Sequence, residues 1–386
     1  MMGLRPRSRL LPPPKPGSTS KRFASCHSAA PAPIGAPNPT ASNVSWFKQS
    51  GKPCRPGGFA ARCAMYGKAT PESDRRRQPV ADESKANAQG TERLGYLGLG
   101  LMGTPMTRRL LKAGYQVAVW NRSESKVAPL AEAGAKRAVS PRDLLVNSDI
   151  IFMCVTDAAA VEEVIFGPEG LAGAPGAGKL VVDFSSIHPD AARDLAARLK
   201  NANGAGWIDA PVSGGTKGAE EGTLAIMAGG EASDIERARP FVMAMARRFT
   251  HMGPIGAGQT TKLCNQVIVG CAMAVLAEAT RLAVNAGIDA NRLPEALAGG
   301  FADSIPLQLF VPRMAQGIHS PPLGHIATML KDLDTVADVA QATSTPVPMA
   351  SLAGQLFRLA KAARGAEADA LEIYKLSATE HRSKAS

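Results

Sequence analysis

No aspartate or glutamate occurs in the first 71 residues, a stretch that carries 11 lysines and arginines; the first acid is Glu72. The 386-residue chain holds 44 basic and 33 acidic side chains, so residues 72–386 contain 33 of each and the net +11 resides in the leader. A charge-balanced remainder argues against nucleic-acid binding, which needs a basic face on the folded domain. Cysteine is sparse, with three of the six in the leader and Cys154, Cys264 and Cys271 beyond it. No Cys-x-x-Cys pair occurs, and the six histidines form no cluster, so no metal site is expected. The three later cysteines read as small apolar core residues in a reducing compartment. No uninterrupted apolar run reaches about 18 residues, so no membrane span is expected.

The leader, by contrast, is rich in Ser, Pro, Ala and Gly, and has neither helical nor strand periodicity. Basic, Ser-rich and acid-free is the composition of an organelle transit peptide. The stretch Ala61–Met65 (ARCAM) resembles a plastid stromal cleavage site, which favours chloroplast over mitochondrion. The polar residues that follow extend this lead-in to about residue 92.

From Arg93 the texture changes. RLGYLGLG is a short apolar strand running into glycines, TPMTRRLLKAG a helix closed by Gly114, and YQVAVWNR a second strand. SESKVAPLAEAG predicts a further helix with Ser123 as N-cap and Gly134 as its stop. SDIIFMCV and KLVVDFSS are apolar runs of the kind that strands buried on both faces show. AGWIDAPVSGG and LAIMAGG add later strands. Strands alternating with helices predict an α/β fold, a Rossmann-type doubly wound parallel sheet over 93–256. The β signals end near Met252. An all-α domain follows over 257–386, led by a long apolar helix from about Gln259 to Ala286.

GLGLMG places Gly98, Gly100 and Gly103 in Gly-x-Gly-x-x-Gly spacing between a strand and a helix, the arrangement that binds a dinucleotide pyrophosphate at a helix N-terminus. The loop Gly98, Leu99, Gly100, Leu101, Met102 and Gly103 is the expected cofactor cradle. Where NAD-binding folds carry an acid for the ribose, this chain has Asn121, Arg122 and Ser123, with Lys126 nearby. A guanidinium there suits a 2′-phosphate, so NADP(H) is expected. GAPGAGKL (Gly173–Leu180) imitates half a P-loop but lacks the Ser/Thr and precedes a strand instead of following one.

Four stretches then stand in order: GLGLMGTPM, DAPVSGGTKGAEEGTLAIMAGG, GPIGAGQTTKLCNQ and MLKDLDTV. Together, from about Leu94 to Ala378, they resemble the β-hydroxyacid dehydrogenase family. The resemblance implies that Ser213, Gly214 and Gly215 hold a substrate carboxylate, that Ser186 lies near the nicotinamide ribose, and that Lys331 binds cofactor. Val155 and Thr156 end a strand of the sheet, where ligands sit in such folds. Helical neighbours that pack on a second subunit in the family lead us to expect a homodimer or homotetramer.

Lys262 stands at the head of the long apolar helix, with Asn265 and Gln266 one turn on and on its face. Such a lysine is either a snorkelling surface residue or, with its pKa lowered by burial, a general acid. The resemblance implies the second, and the helix N-terminus is expected to disfavour the charged form further. The implied activity is NADPH-dependent reduction of glyoxylate or a small semialdehyde such as succinic semialdehyde. The alternatives are tartronate semialdehyde reduction, 3-hydroxyisobutyrate oxidation, and, in a different class, a non-catalytic dinucleotide-binding module, which would lack the lysine. Many family members place Asn four residues after this lysine, where Gln266 stands here, so which amide meets the substrate is open.

Overall fold

The structure is a computed structural model and describes residues 92–377. The basic leader read as a transit peptide lies outside the described residues. Nine strands form one sheet in the order β3-β2-β1-β4-β5-β6-β8-β7, with β9 paired to β8. Strands β1 (Leu94–Leu97), β2 (Val117–Trp120), β3 (Lys136–Arg137), β4 (Ile150–Met153), β5 (Leu180–Asp183) and β6 (Gly206–Asp209) are all parallel. This is the doubly wound sheet that the apolar runs predict. The later strands depart from it. β8 (Leu224–Gly229) runs antiparallel to β6 and to the short β7 (Val212–Ser213), while β9 (Ala246–Gly253) lies parallel to β8.

Every residue of β1, β4 and β5 is buried. Successive side chains alternate between two cores, as the period of two demands. Tyr96, Ile150, Phe152 and Val182 enter one, and Leu97, Ile151, Met153 and Val181 the other. Phe184 continues the first, its ring stacked on Phe152 with centroids 5.7 Å apart. The edge strand β3 exposes both of its residues, Lys136 and Arg137, and charge on an edge discourages pairing with another chain.

Helix α1 spans Gly103–Lys112. The helix predicted from Ser123 is divided instead: a single 3-10 turn covers Glu124–Lys126, and α2 covers only Ala128–Glu132. Pro129 explains the break, since its ring lacks an N–H and clashes with the carbonyl four residues back in a continuous helix. Ser123 is extended and makes no side-chain cap. Then come α3 (Pro141–Asn147), α4 (Ala158–Phe166), α5 (Pro189–Asn203), α6 (Gly215–Glu221) and α7 (Ala232–Val242).

Helix α8 (Ala257–Asn285) is 29 residues long and begins two residues earlier than its sequence suggests. Its 18-residue window of mean hydropathy 1.8 makes it the one described helix long and apolar enough to cross a membrane. One face of it serves a folded core. Leu263, Met273, Ala274 and Ala277 pack with side chains of α10 (Ile305–Gln316), α11 (Ile326–Ala342) and α12 (Pro348–Arg364). A short α9 (Leu293–Leu297) precedes them, and a 3-10 segment, Ala370–Ser377, closes the described chain. The N-terminal end of α8 sits tightly on the sheet. A Cβ at Gly258 would lie 2.4 Å from the Asp209 carbonyl oxygen and 2.5 Å from that of Met227, so only glycine lets the helix approach so closely.

Candidate active site

Parallel strands end on one edge of the sheet, and there the chain turns into the loops of interest. Gly98 follows β1 with φ +89°, and a Cβ there would meet the Cys154 carbonyl oxygen at 2.2 Å. Gly103, where α1 begins, allows no side chain either, because a Cβ would stand 1.9 Å from the Gly98 carbonyl oxygen. Gly100 differs: nothing lies within 4 Å of the missing Cβ. Packing explains the first two glycines. The third leaves free space in front of a loop that leads into an N-terminus whose Met102 N-cap makes no side-chain cap. That is the fit a pyrophosphate needs: open backbone, free N–H groups and positive helix polarity.

Asn121 helps to shape this loop, its Oδ1 accepting the Leu99 N–H at 2.9 Å and its Nδ2 donating to the Ser123 carbonyl at 3.0 Å. Arg122 and Ser123 are exposed beside it. On the α1 side runs a cleft of about 670 Å³, lined among others by Gly100, Leu101, Arg108, Lys112 and Lys126. After β4, Val155 N–H donates to the Ser185 hydroxyl at 2.9 Å. Asp157 caps α4, accepting from Ala160 N–H.

Helices α8 and α11 close over this edge and bring the remaining predicted residues together. The Lys331 ammonium donates to the Ser186 carbonyl at 3.0 Å and lies 3.4 Å from Asp332. The Ser213 hydroxyl approaches Asn265 Oδ1 at 3.4 Å. Gly214 and Gly215 take φ values of +133° and +61°, a region that favours glycine, and Gly215 has open space before it. Lys262 is half-buried, and no hydrogen bond holds its ammonium among the described residues. Burial lowers its pKa; the Asp332 charge opposes that shift and Lys331 adds to it.

The helix N-terminus plays a smaller part in this than expected. Asp209, buried at the end of β6, accepts Gly256 N–H and Gln259 N–H, both at 2.7 Å. A carboxylate in that place answers the helix's partial positive charge, so the lowering at Lys262 is chiefly one of desolvation. Burial raises Asp209 itself to about 6. Gln259, also buried, ties the same helix to the β5 loop by donating to the Ser185 carbonyl and accepting Ile187 N–H.

Asp209, Gln259, Ser185 and Asp332 join the site in the structure without standing out in the sequence as site residues. Their signal lies in the same stretches: Asp209 opens DAPVSGG, Gln259 stands in GPIGAGQTTKLCNQ, Asp332 follows Lys331 in MLKDLDTV, and Ser185 precedes Ser186. Cys264 corrects another expectation, since it is exposed on α8 while Cys154 and Cys271 are partly buried. Burial pushes the Cys154 thiol up to about 12, which leaves it inert as a nucleophile.

Two family models cover the described chain. Residues 93–253 match the NAD binding domain of 6-phosphogluconate dehydrogenase, and residues 256–377 match the NAD-binding domain of NADP-dependent 3-hydroxyisobutyrate dehydrogenase. The 2-hydroxy-3-oxopropionate reductase of Escherichia coli is 39% identical over 72% of this chain and 94% of its own length. The chain belongs to the β-hydroxyacid dehydrogenase family. Within it, the chloroplastic glyoxylate/succinic semialdehyde reductase 2 of Arabidopsis thaliana is 34% identical over 70% of this chain and 75% of that protein. The solved structure of Mycobacterium tuberculosis 3-hydroxyisobutyrate dehydrogenase with L-serine matches with a TM-score of 0.67 and 29% identity, covering 74% of this chain and 99% of that one. Like its relatives, this β-hydroxyacid dehydrogenase is an oxidoreductase that uses a nicotinamide dinucleotide.

Proposed function

We propose that the protein reduces glyoxylate or a small semialdehyde to the hydroxyacid with NADPH, Lys262 acting as general acid. The observation that carries this reading is the setting of Lys262, an ammonium half-buried at the head of α8, beside Asn265 and the Ser213 loop. Bound NADPH supplies the hydride. Ser213, Gly214 and Gly215 receive the substrate carboxylate, and Asn265 fixes its orientation. The Lys262 ammonium gives its proton to the developing alkoxide, and its lowered pKa makes that transfer easier at neutral pH. Lys331, held by the Ser186 carbonyl, clasps the cofactor.

The preference for the phosphorylated cofactor rests on Arg122, on the absence of an acid at the end of β2, and on Lys126 and Arg108 lining the adjoining cleft. A second reading, 2-hydroxy-3-oxopropionate (tartronate semialdehyde) reduction, is favoured by the 39% identity to that reductase. Assay of purified protein with glyoxylate, succinic semialdehyde, 2-hydroxy-3-oxopropionate and, in reverse, 3-hydroxyisobutyrate, each with NADPH/NADP⁺ and NADH/NAD⁺, tests both. Oxidation of NADPH by the first two substrates in preference to the third is expected. Faster turnover with NADH would refute the cofactor assignment.

The acid-free leader, the Ala61–Met65 sequence and the chloroplastic name of the Arabidopsis relative support a plastid address. Residues 93–256 serve as the cofactor domain and 257–386 as the substrate and assembly domain. Ile268, Val275 and Leu282 recur every seven residues along α8 with exposures of 68%, 52% and 71%. A seven-residue spacing puts them in one stripe along the helix, and an exposed apolar stripe of this kind suits a second copy of the chain. Val275→Glu is expected to convert a dimer or tetramer to monomer in sedimentation velocity. A wild-type protein that sediments as a monomer would exclude the assembly.

A further inference from the structure

The residue four positions after Lys262 is turned away from the substrate loop. Gln266 is buried, with 7% of its surface exposed, and its Nε2 donates to Asp332 Oδ2 at 2.6 Å. Its Oε1 accepts Asn265 Nδ2 at 2.8 Å. Asn265 Oδ1 in turn is the atom that meets the Ser213 hydroxyl, at 3.4 Å. Each step dictates the next. A carboxylate only accepts hydrogen bonds, so Asp332 obliges Gln266 to present its NH₂ group there and its carbonyl on the other side. That carbonyl only accepts, so Asn265 must give it an N–H and leave its own oxygen toward Ser213. An asparagine amide is otherwise free to turn by half a rotation at little cost. The chain of bonds from α11 removes that freedom.

We infer that Gln266 is a strut rather than a substrate ligand, and that with Asp332 as its anchor it is the positioning residue that sets which end of the Asn265 amide faces the bound substrate. This rests on the proposed placing of substrate against Ser213 and Asn265. The side-chain length supports the assignment: an asparagine in place of Gln266 would be one methylene shorter than the span now bridged to Asp332. Burial supports it as well, because both ends of the Gln266 amide are already bonded within the protein.

The test is an exchange of donor and acceptor. Gln266→Glu sets two carboxylates against each other, and their repulsion swings the side chain at position 266 off Asp332 and out of reach of Asn265, whose amide is then free to turn. KM for the best aldehyde substrate is expected to rise about tenfold, the effect of one lost orienting hydrogen bond, with kcat much less affected. Asp332→Asn added to Gln266→Glu restores a donor on α11. The carboxylate introduced on α8 then accepts from the amide introduced on α11 and from Asn265 together, so Asn265 keeps its direction and KM returns to near the wild-type value. A structural role for side-chain volume alone would not produce that rescue. Equal KM in wild type and Gln266→Glu, or a double variant no better than Gln266→Glu alone, would overturn the inference.

The strut is also read without any substrate, from the side-chain amide signals of ¹⁵N-asparagine-labelled protein. The Asn265 NH₂ protons are expected to exchange slowly in wild type, quickly in Gln266→Glu and slowly again in the double variant. Fast exchange in wild type overturns the strut. Slow exchange with no turnover of any aldehyde or keto acid would instead sink the proposed function.

Discussion

Lys262→Ala is expected to lower kcat for aldehyde reduction by about 10²–10⁴-fold, the contribution of a positioned general acid, while NADPH binding followed by fluorescence titration stays nearly unchanged. The two readouts separate because the Gly98–Gly103 loop lies on the β1 side of the sheet edge and Lys262 rises from α8. The pH profile sharpens the test. Reduction consumes the ammonium form, so kcat falls as pH rises through the Lys262 pKa; oxidation of the hydroxyacid needs the free amine and gains over the same range. Burial sets both limbs below the ordinary lysine range. A Lys262→Ala enzyme with near-normal turnover would show that another group supplies the proton.

The second large effect concerns stability. Asp183 ends β5 with no exposed surface, its Oδ1 accepting the Ser185 N–H and its Oδ2 unpartnered among the described residues. Burial raises its pKa from 3.8 to about 7, against the hydrogen bonds from Ser185 and with help from the neighbouring Asp209 charge. The folded chain therefore binds this proton more tightly than the unfolded chain. Its contribution to stability is complete below about pH 4, is lost as the pH rises toward 7, and changes no further above that. A difference of that size corresponds to at most about 4 kcal/mol. Asp183→Asn keeps the Oδ1 acceptor and cannot ionise. The variant is expected to melt at a higher temperature than wild type at pH 8, to match it near pH 4, and to lose the intervening slope. A lower melting temperature at pH 8 would refute this account.

The sequence was most legible where a single local constraint dominates. The buried runs of β1 and β4, and Leu180–Val182 of β5, had to be apolar, and the glycines at 98 and 103 had to be glycines because a carbonyl oxygen stands where a side chain would go. The β9 strand carries no apolar run, because Arg247, Arg248, Thr250 and His251 are exposed. Site chemistry was legible in residue type but not in partnership. Lys262, Ser213 and Lys331 could be named from their stretches. Nothing within α8 foretells that Gln266 reaches a carboxylate 66 residues away, or that Asp209 caps the same helix from 47 residues upstream. Those contacts depend on how α8 and α11 meet the sheet, which no periodicity encodes. Asp332, viewed alone, was one more charge on a helix.

At 29 residues, helix α8 is a rod about 43 Å long. Its first turns carry the lysine and the amide pair, and its outward stripe runs to Leu282 near the opposite end. The sheet grips one end at Gly258, four residues before Lys262, so the catalytic turn stands next to the fixed end of the rod. A tilt imposed far along the rod, by whatever seats on the stripe, is transmitted to Lys262 scaled down by the ratio of the two distances from that end. Catalytic geometry near the fixed end is thereby insulated from coarse movement at the far one, and substitutions on the outer surface can accumulate without unsettling the distances on which proton transfer depends.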